Sequence, residues 1–310
     1  MTTPRLTRRA ALFAAAAVPF APGLLTTPAH AAAEMMGAAM PTFNRFKLGG
    51  FEVTTLLAGS RSMENPQETF GTNASAEDFA ALSAANFIPA DKSQNFFTPT
   101  IVNTGAELVL FDTGLAADAI TGVLAAAGYT PDQIDVVVLT HMHGDHIGGL
   151  AGDAGATFAN ARYVTGSVEH NHWTSAGNEG FDTKVAPLND KMTFLDDGGA
   201  VASGITAMAA FGHSPGHMAY MLESDGQRLA LIADAANHYV WSLQKPDWEV
   251  RFDMDKAAAA ATRRNLFGML AADRVPFVGY HMPFPGVGYA EALDDGFRYV
   301  PLSYQMMLNG

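Results

Sequence analysis

The chain has 310 residues, no cysteine, 18 basic against 31 acidic side chains, a net charge of −13 and 48% hydrophobic residues. Zero cysteine excludes a disulfide framework, an iron–sulfur cluster and a Cys-ligated zinc finger. The acidic balance excludes a phosphate-backbone binder, which needs a basic stripe, so no nucleic-acid partner is expected.

Residues 1–31 read as an export signal. Arg5, Arg8 and Arg9 precede an apolar run from Ala10 to Leu25, and Ala29-His30-Ala31 offers a small-x-small cleavage site. Thr7-Arg8-Arg9-Ala10-Ala11-Leu12 is similar to a twin-arginine signal, whose route carries folded proteins. Pro19 and Pro22 interrupt the run and argue against a membrane-spanning anchor. The expectation is a periplasmic or secreted protein, with no membrane attachment after cleavage and a single domain over 32–310. Cleavage removes three arginines and no acid, which takes the net charge from −13 to −16.

Residues 32–42 form a loose Ala/Met/Gly-rich lead-in. Beyond it, Phe51–Leu57, Thr100–Val102 and Leu108–Phe111 have the composition of strands. Ser75–Ala85 has helical spacing with Ser75 as N-cap, and Ala116–Ala127 is a helix stopped by Gly128. The β-branched run Ile134–Leu139 predicts a buried strand. Further strands are expected at Ala161–Val164, Ile205–Ala209 and Val275–Gly279, a hairpin at Met218–Leu222 with Arg228–Ile232, and a long helix over Asp255–Ala272. This alternation predicts sheets with helices outside.

The strongest local signal follows the strand that ends at Leu139. His141, His143, Asp145 and His146 fall within six residues. On an extended segment residues i and i+2 point the same way, so His141 and His143 can share one metal. Gly144 lets the chain turn, which aims Asp145 and His146 toward a second. Gly148-Gly149 allows close backbone packing beside the site. Imidazole and carboxylate suit Zn, Mn, Co or Fe(II). His217 lies in the turn Gly212–His217, Asp234 follows the apolar run Leu229–Ala233, and His281 follows Val275–Gly279, each just past a strand end.

His141, His143, Asp145 and His146 spell a motif that resembles HxHxDH of the metallo-β-lactamase fold superfamily. His217, Asp234 and His281 follow in the order of its later motifs, and the likeness runs from about Phe51 to Pro283. The resemblance implies an α/β fold, a four-layer αββα sandwich of two mixed β-sheets with flanking helices. It implies two divalent metals, zinc first, at one edge. His141, His143 and His217 would hold one metal, and Asp145, His146 and His281 the other. Asp234 would bridge them, and a metal-bridging hydroxide would be the nucleophile. Asp145 and Asp234 are then the catalytic carboxylates. Imidazole at position 143, where redox members carry a carboxylate, favours hydrolysis.

The leader, the length, and Phe-Gly-His-Ser-Pro-Gly-His followed by Gly-Tyr-His-Met-Pro-Phe-Pro are similar to the exported methyl-parathion-hydrolase-like group. The expected substrate is a small apolar organophosphate triester, aryl ester or lactone. The alternatives are a quorum-quenching N-acyl homoserine lactonase and, from a different class, a non-catalytic binding protein on the same fold. Phe97, Trp173, Phe181, His238, Met282 and Phe284 lie near ligand motifs in sequence and are the candidate pocket residues. His213 is expected to orient a ligand. Asp112, in Asp112-Thr113-Gly114, is expected to support the site by hydrogen bonding. The apolar lead-in and the aromatic-rich segment 236–252 make a homodimer plausible.

Overall fold

The computed structural model describes residues 34–308, so the leader expected over 1–31 lies outside the described residues. From Pro41 onward the chain is one compact unit. Two mixed sheets of seven strands each form its centre. The first runs, edge to edge, through Phe43–Leu48, Phe51–Leu56, Thr100–Asn103, Leu108–Phe111, Val136–Leu139, Arg162–Gly166 and Met192–Leu195. Its first four strands pair antiparallel and its last four parallel. The second runs through Ala200–Ala202, Ile205–Ala209, Met218–Ser224, Gln227–Ala233, Phe277–Gly279, Val287–Ala292 and Phe297–Pro301. Its single parallel pair, Gln227–Ala233 with Phe277–Gly279, is connected through the long helix Lys256–Asp273.

Three apolar clusters define four layers. Val53, Val102, Val109, Val136 and Val138 of the first sheet interleave with Ile205, Tyr220, Leu222, Leu229 and Leu231 of the second. The outer face of the first sheet is covered by Ile120 and Leu124 of the helix Ala117–Ala126, together with Trp173, Phe181 and Val185. The outer face of the second is covered by Phe267 and Leu270 of the long helix. The central strands Val136–Leu139 and Leu108–Phe111 are buried at every position, as runs covered on both faces must be. This is the αββα sandwich expected.

Local signals hold where side chains act locally. Ser75 caps the helix Ala76–Ala85, its hydroxyl accepting the Asp78 N–H. The hairpin Gly59–Glu64 with Lys92–Phe97 was not expected. It stands outside both large sheets, and the exposed, polar Ser60-Arg61-Ser62 carries no apolar alternation. The aromatic-rich stretch 236–252 is consumed inside the chain, where Val240, Trp241 and Val250 pack with Phe70 and Phe79. No helix among the described residues is long and apolar enough to cross a membrane.

Candidate metal centre

The ligand-type side chains all sit just past strand ends at one edge of the sandwich. His141 follows Val136–Leu139, His213 lies between Ile205–Ala209 and Met218–Ser224, Asp234 follows Gln227–Ala233, and His281 follows Phe277–Gly279. Residues 141–143 have no regular structure, and the turn into the short helix Gly144–Ile147 re-aims Asp145 and His146. Gly148 and Gly149 must lack side chains, because a Cβ on either would overlap the carbonyl oxygens of Leu115 and Thr113. The two sheets are tied at this edge by the Met218 N–H, which donates to the Thr140 carbonyl at 3.0 Å.

Three groups of potential metal-binding atoms result: His141, His143 and His213; His141, His146 and Asp234; and Asp145, His146 and His281. His143 Nδ1 lies 3.1 Å from His141 Nε2 and 2.9 Å from His213 Nε2. His146 Nε2 lies 3.3 Å from Asp234 Oδ1, and His281 Nε2 lies 3.1 Å from Asp234 Oδ2 and 3.3 Å from Asp145 Oδ2.

Each converging imidazole except His143 has its Nδ1 engaged away from the cluster. His141 Nδ1 faces the Thr140 hydroxyl at 3.1 Å, which itself donates to Asp112. His146 Nδ1 faces Asp112 at 2.8 Å, His213 Nδ1 faces Asp253 at 2.9 Å, and His281 Nδ1 faces the Phe96 carbonyl at 2.8 Å. An N–H donated outward leaves the Nε2 lone pair pointing inward, which is how metal-binding imidazoles are held. Lone pairs facing one another at these distances need a shared proton or a cation between them. Two atoms show the need directly: buried His146 Nε2 and Asp234 Oδ1 have no hydrogen-bond partner. The donor set is all nitrogen and oxygen, so the residues fit divalent metals of the zinc type.

The structure corrects one expected ligand. His217 does not converge on the cluster, because both its ring nitrogens are taken by backbone. Nδ1 faces the Ala210 carbonyl at 3.1 Å, and Nε2 accepts the Asp234 N–H at 3.1 Å. His213 occupies the place expected for His217, and His217 positions Asp234 instead. Both histidines are visible in Gly212–His217, but no spacing rule says which ring reaches inward. Asp112 does act through hydrogen bonds, accepting from the Thr140 backbone and hydroxyl as well as facing His146.

A buried glutamate absent from the sequence reading joins the two ligand-bearing loops. Glu169 Oε1 accepts the Met142 N–H and the Trp173 indole N–H, while Oε2 accepts the Ser214 hydroxyl and the Gly216 N–H. Gly216 is required for this approach, since a Cβ there would overlap the Glu169 backbone.

Electrostatics divide the cluster. Burial pushes His141 well below the ordinary imidazole range, with His146 and His143 adding to it. Burial, then His213, takes His143 to about 4. At His281 burial is outweighed by Asp234 and Asp145, which hold its pKa at about 10. At His146 the same contest is won by Asp234, Asp112 and Asp145, and its pKa is raised. Asp145 is held at about 2, since His146 and His281 outweigh its burial.

The cluster forms part of the lining of a cavity of about 700 Å³, to which His143, Asp145, His213, Asp234 and His281 contribute. Other walls come from Arg61, Met63, Asn95 and Phe97 of the hairpin, and from Phe70, Leu115, Asn237, Arg251 and Phe252. Of the six candidate pocket residues, Phe97 alone lines this cavity, its ring edge-on to His281 at 5.5 Å. The rest are corrected. Phe181 and Met282 are core side chains, and Phe284 is buried away from the cavity. Trp173 is buried and donates to Glu169. His238 stacks on Trp241 at 3.9 Å and lines a separate cavity of about 340 Å³. Sequence proximity to a ligand does not set which way a side chain points.

Five imidazoles and two carboxylates converging at one edge of an αββα sandwich define the metallo-β-lactamase class of metal-binding hydrolases. The sequence pattern of the metallo-beta-lactamase superfamily matches residues 98–277, more than half of the chain, and the chain belongs to that superfamily. Among solved structures it is similar to AidC, a dizinc quorum-quenching lactonase with a bound product, at 26% identity and a TM-score of 0.77, over 84% of this chain and 97% of that one. It shares the fold of AbOPH, a hydrolase of the beta lactamase superfamily, at 24% identity and a TM-score of 0.78, over 86% of this chain and 99% of that one. Among curated relatives, an N-acyl homoserine lactonase of Bacillus cereus is 23% identical over 146 residues, 47% of this chain and 56% of the relative. An atrochrysone carboxyl ACP thioesterase of Passalora fulva is 30% identical over 136 residues, 43% of this chain and 35% of the relative. The chain thus spans about half or less of the length of these two relatives.

Proposed function

We propose that this chain is a dinuclear-metal hydrolase that opens lactones, with zinc as its working metal. The observation that carries the reading is the convergence of partnerless His146 Nε2 and Asp234 Oδ1 with four further imidazoles beside the 700 Å³ cavity. The likeness to AidC supports lactones as the substrate class.

His141, His143 and His213 would hold one cation and Asp145, His146 and His281 the other, with Asp234 facing both sets. Two such cations, when bound, polarise an ester carbonyl and supply an activated water near neutral pH. The chain's own residues do the rest. Asn237 Nδ2 donates to Asp234 Oδ2 at 2.9 Å and fixes the carboxylate that joins the two halves. Asp145 lines the cavity as a carboxylate that, against its burial, His146 and His281 keep ionised, so it can accept a hydrogen bond from water or substrate there. Asn95 and Asn237 add polar side chains to the same wall.

A second reading, hydrolysis of aryl esters or organophosphate triesters, rests on Phe70, Phe97 and Phe252 in the same wall. One panel separates the two: C4-to-C12 acyl-homoserine lactones, dihydrocoumarin, p-nitrophenyl acetate and paraoxon-methyl, with metal content measured on the same sample. Chelator-sensitive turnover of lactones with two metals per chain is expected. Turnover confined to phosphotriesters or aryl esters installs the second reading, and two metals without turnover overturns both. Export through the leader over 1–31 belongs to the same proposal. Mass determination of the secreted or periplasmic protein tests it, with cleavage after Ala31 expected.

A further inference from the structure

The turn that carries His213 is bonded to a segment far away in sequence. The Met254 N–H donates to the His213 carbonyl at 3.0 Å, and the Asp255 N–H to Gly212 at 2.9 Å. Asp253 Oδ1 faces His213 Nδ1 at 2.9 Å, and its Oδ2 accepts Arg263 Nη1 at 2.8 Å. Arg263 projects from the middle of the long helix and is fully buried. A guanidinium there needs every donor answered. Its Nε donates to the Pro246 carbonyl at 2.8 Å and its Nη2 to the Trp248 carbonyl at 3.3 Å. Two turns earlier, Lys256 donates to the carbonyls of Val250, Arg251 and Asp253. The same segment, 246–254, places Arg251 and Phe252 in the wall of the cavity.

We infer that Asp253 and Arg263 are positioning residues that set the His213 tautomer and, through one strap of backbone, the substrate-facing wall. Asp253 accepts a hydrogen bond from the Nδ1–H and so leaves the Nε2 lone pair for the cation. Arg263 fixes Asp253 and the strap together, so the metal site and the wall are built as one unit. Neither residue lines the cavity, and Asp253 meets the cluster only at the outward-facing Nδ1 of His213. The inference rests on the metal reading of the site, and it goes beyond that reading in naming what holds the ligand.

Three variants test it, together with one measurement on the unaltered protein that uses H213Q as its control. D253N keeps the volume and removes the carboxylate. D253N/R263M removes both charges, so that neither is left uncompensated if the single variant folds poorly. R263M keeps Asp253 and releases the strap. Chelator competition with zinc should show one of two metals held about 10- to 100-fold more weakly in D253N and in the double variant. R263M should raise KM for the best lactone more than it lowers kcat, because Arg251 and Phe252 ride on the strap. Nitrogen-15 NMR of the metal-free, unaltered protein should show His213 protonated at Nδ1, with the signal assigned by its loss in H213Q. Unaltered affinity for both metals in the Asp253 variants, or a proton on Nε2 of His213, overturns the inference. An unaltered KM in R263M removes Arg263 from it. If the unaltered protein binds no zinc, the metal reading itself has failed, which is a separate result.

Discussion

The substitution Glu169→Gln tests how the two ligand loops are held together. It changes almost no volume, so a cavity or clash contributes little. In the native chain each carboxylate oxygen accepts two donors, at distances from 2.6 to 3.0 Å. A carboxamide supplies one acceptor oxygen and one donor nitrogen. Whichever way it settles, its nitrogen faces either the Met142 N–H and Trp173 Nε1, or the Ser214 hydroxyl and Gly216 N–H. The Ser214 hydroxyl can rotate away, but at least one buried backbone N–H is orphaned beside a like donor. Each buried donor left without a partner costs about 1–3 kcal/mol, so the expected loss is about 3 kcal/mol. For a chain of this size that lowers Tm by about 5 °C. Calorimetry of the metal-free proteins measures it without interference from metal binding. Zinc titration should then show weaker binding, since the His141–His143 loop and the His213 turn are no longer tied. A Tm within 2 °C of the parent, with unchanged metal affinity, would refute the idea that Glu169 joins the loops.

Three more outcomes follow from the same geometry. His213→Ala should lower bound metal from about two equivalents toward one and reduce lactone turnover at least about 100-fold. His217→Ala should retain both equivalents and lose stability instead. Metal analysis on the two variants decides between them, and the reverse pattern would restore His217 as the ligand. In the metal-free protein, His281 has a folded pKa of about 10, above the ordinary imidazole value. Its protonation therefore stabilises the fold fully below about pH 6.5, and that contribution is lost as pH rises toward 10. Metal-free Tm should fall over that window, while zinc affinity rises because the cation no longer competes with the proton; a Tm that climbs between pH 7 and 10 contradicts this. Gly216→Ala forces a methyl into the Glu169 backbone. It should cost about 1–3 kcal/mol or more by urea unfolding and weaken metal binding in parallel, and a neutral result would show the two loops can move apart.

Much of this was legible in the chain itself, and the reason is that the legible features are local. The run ending at Leu139 declares itself by its own β-branched composition, and the cap at Ser75 acts on a backbone N–H three residues away. His141, His143, Asp145 and His146 are read from spacing alone, since a short turn past a strand end leaves few directions in which they can point. The folded chain decided the rest. Which histidine of Gly212–His217 reaches inward depends on Asp253, forty residues downstream, and on whether a ring's second nitrogen meets a backbone group. The cavity wall is assembled from the 59–64 and 92–97 hairpin and the 246–254 strap, which meet the ligands only in space. Near neighbours in sequence, such as Trp173, Phe181, Met282 and Phe284, were turned into the core instead. A burial preference is a property of the side chain; a direction is a property of the packed sheets, and only the packing selects it.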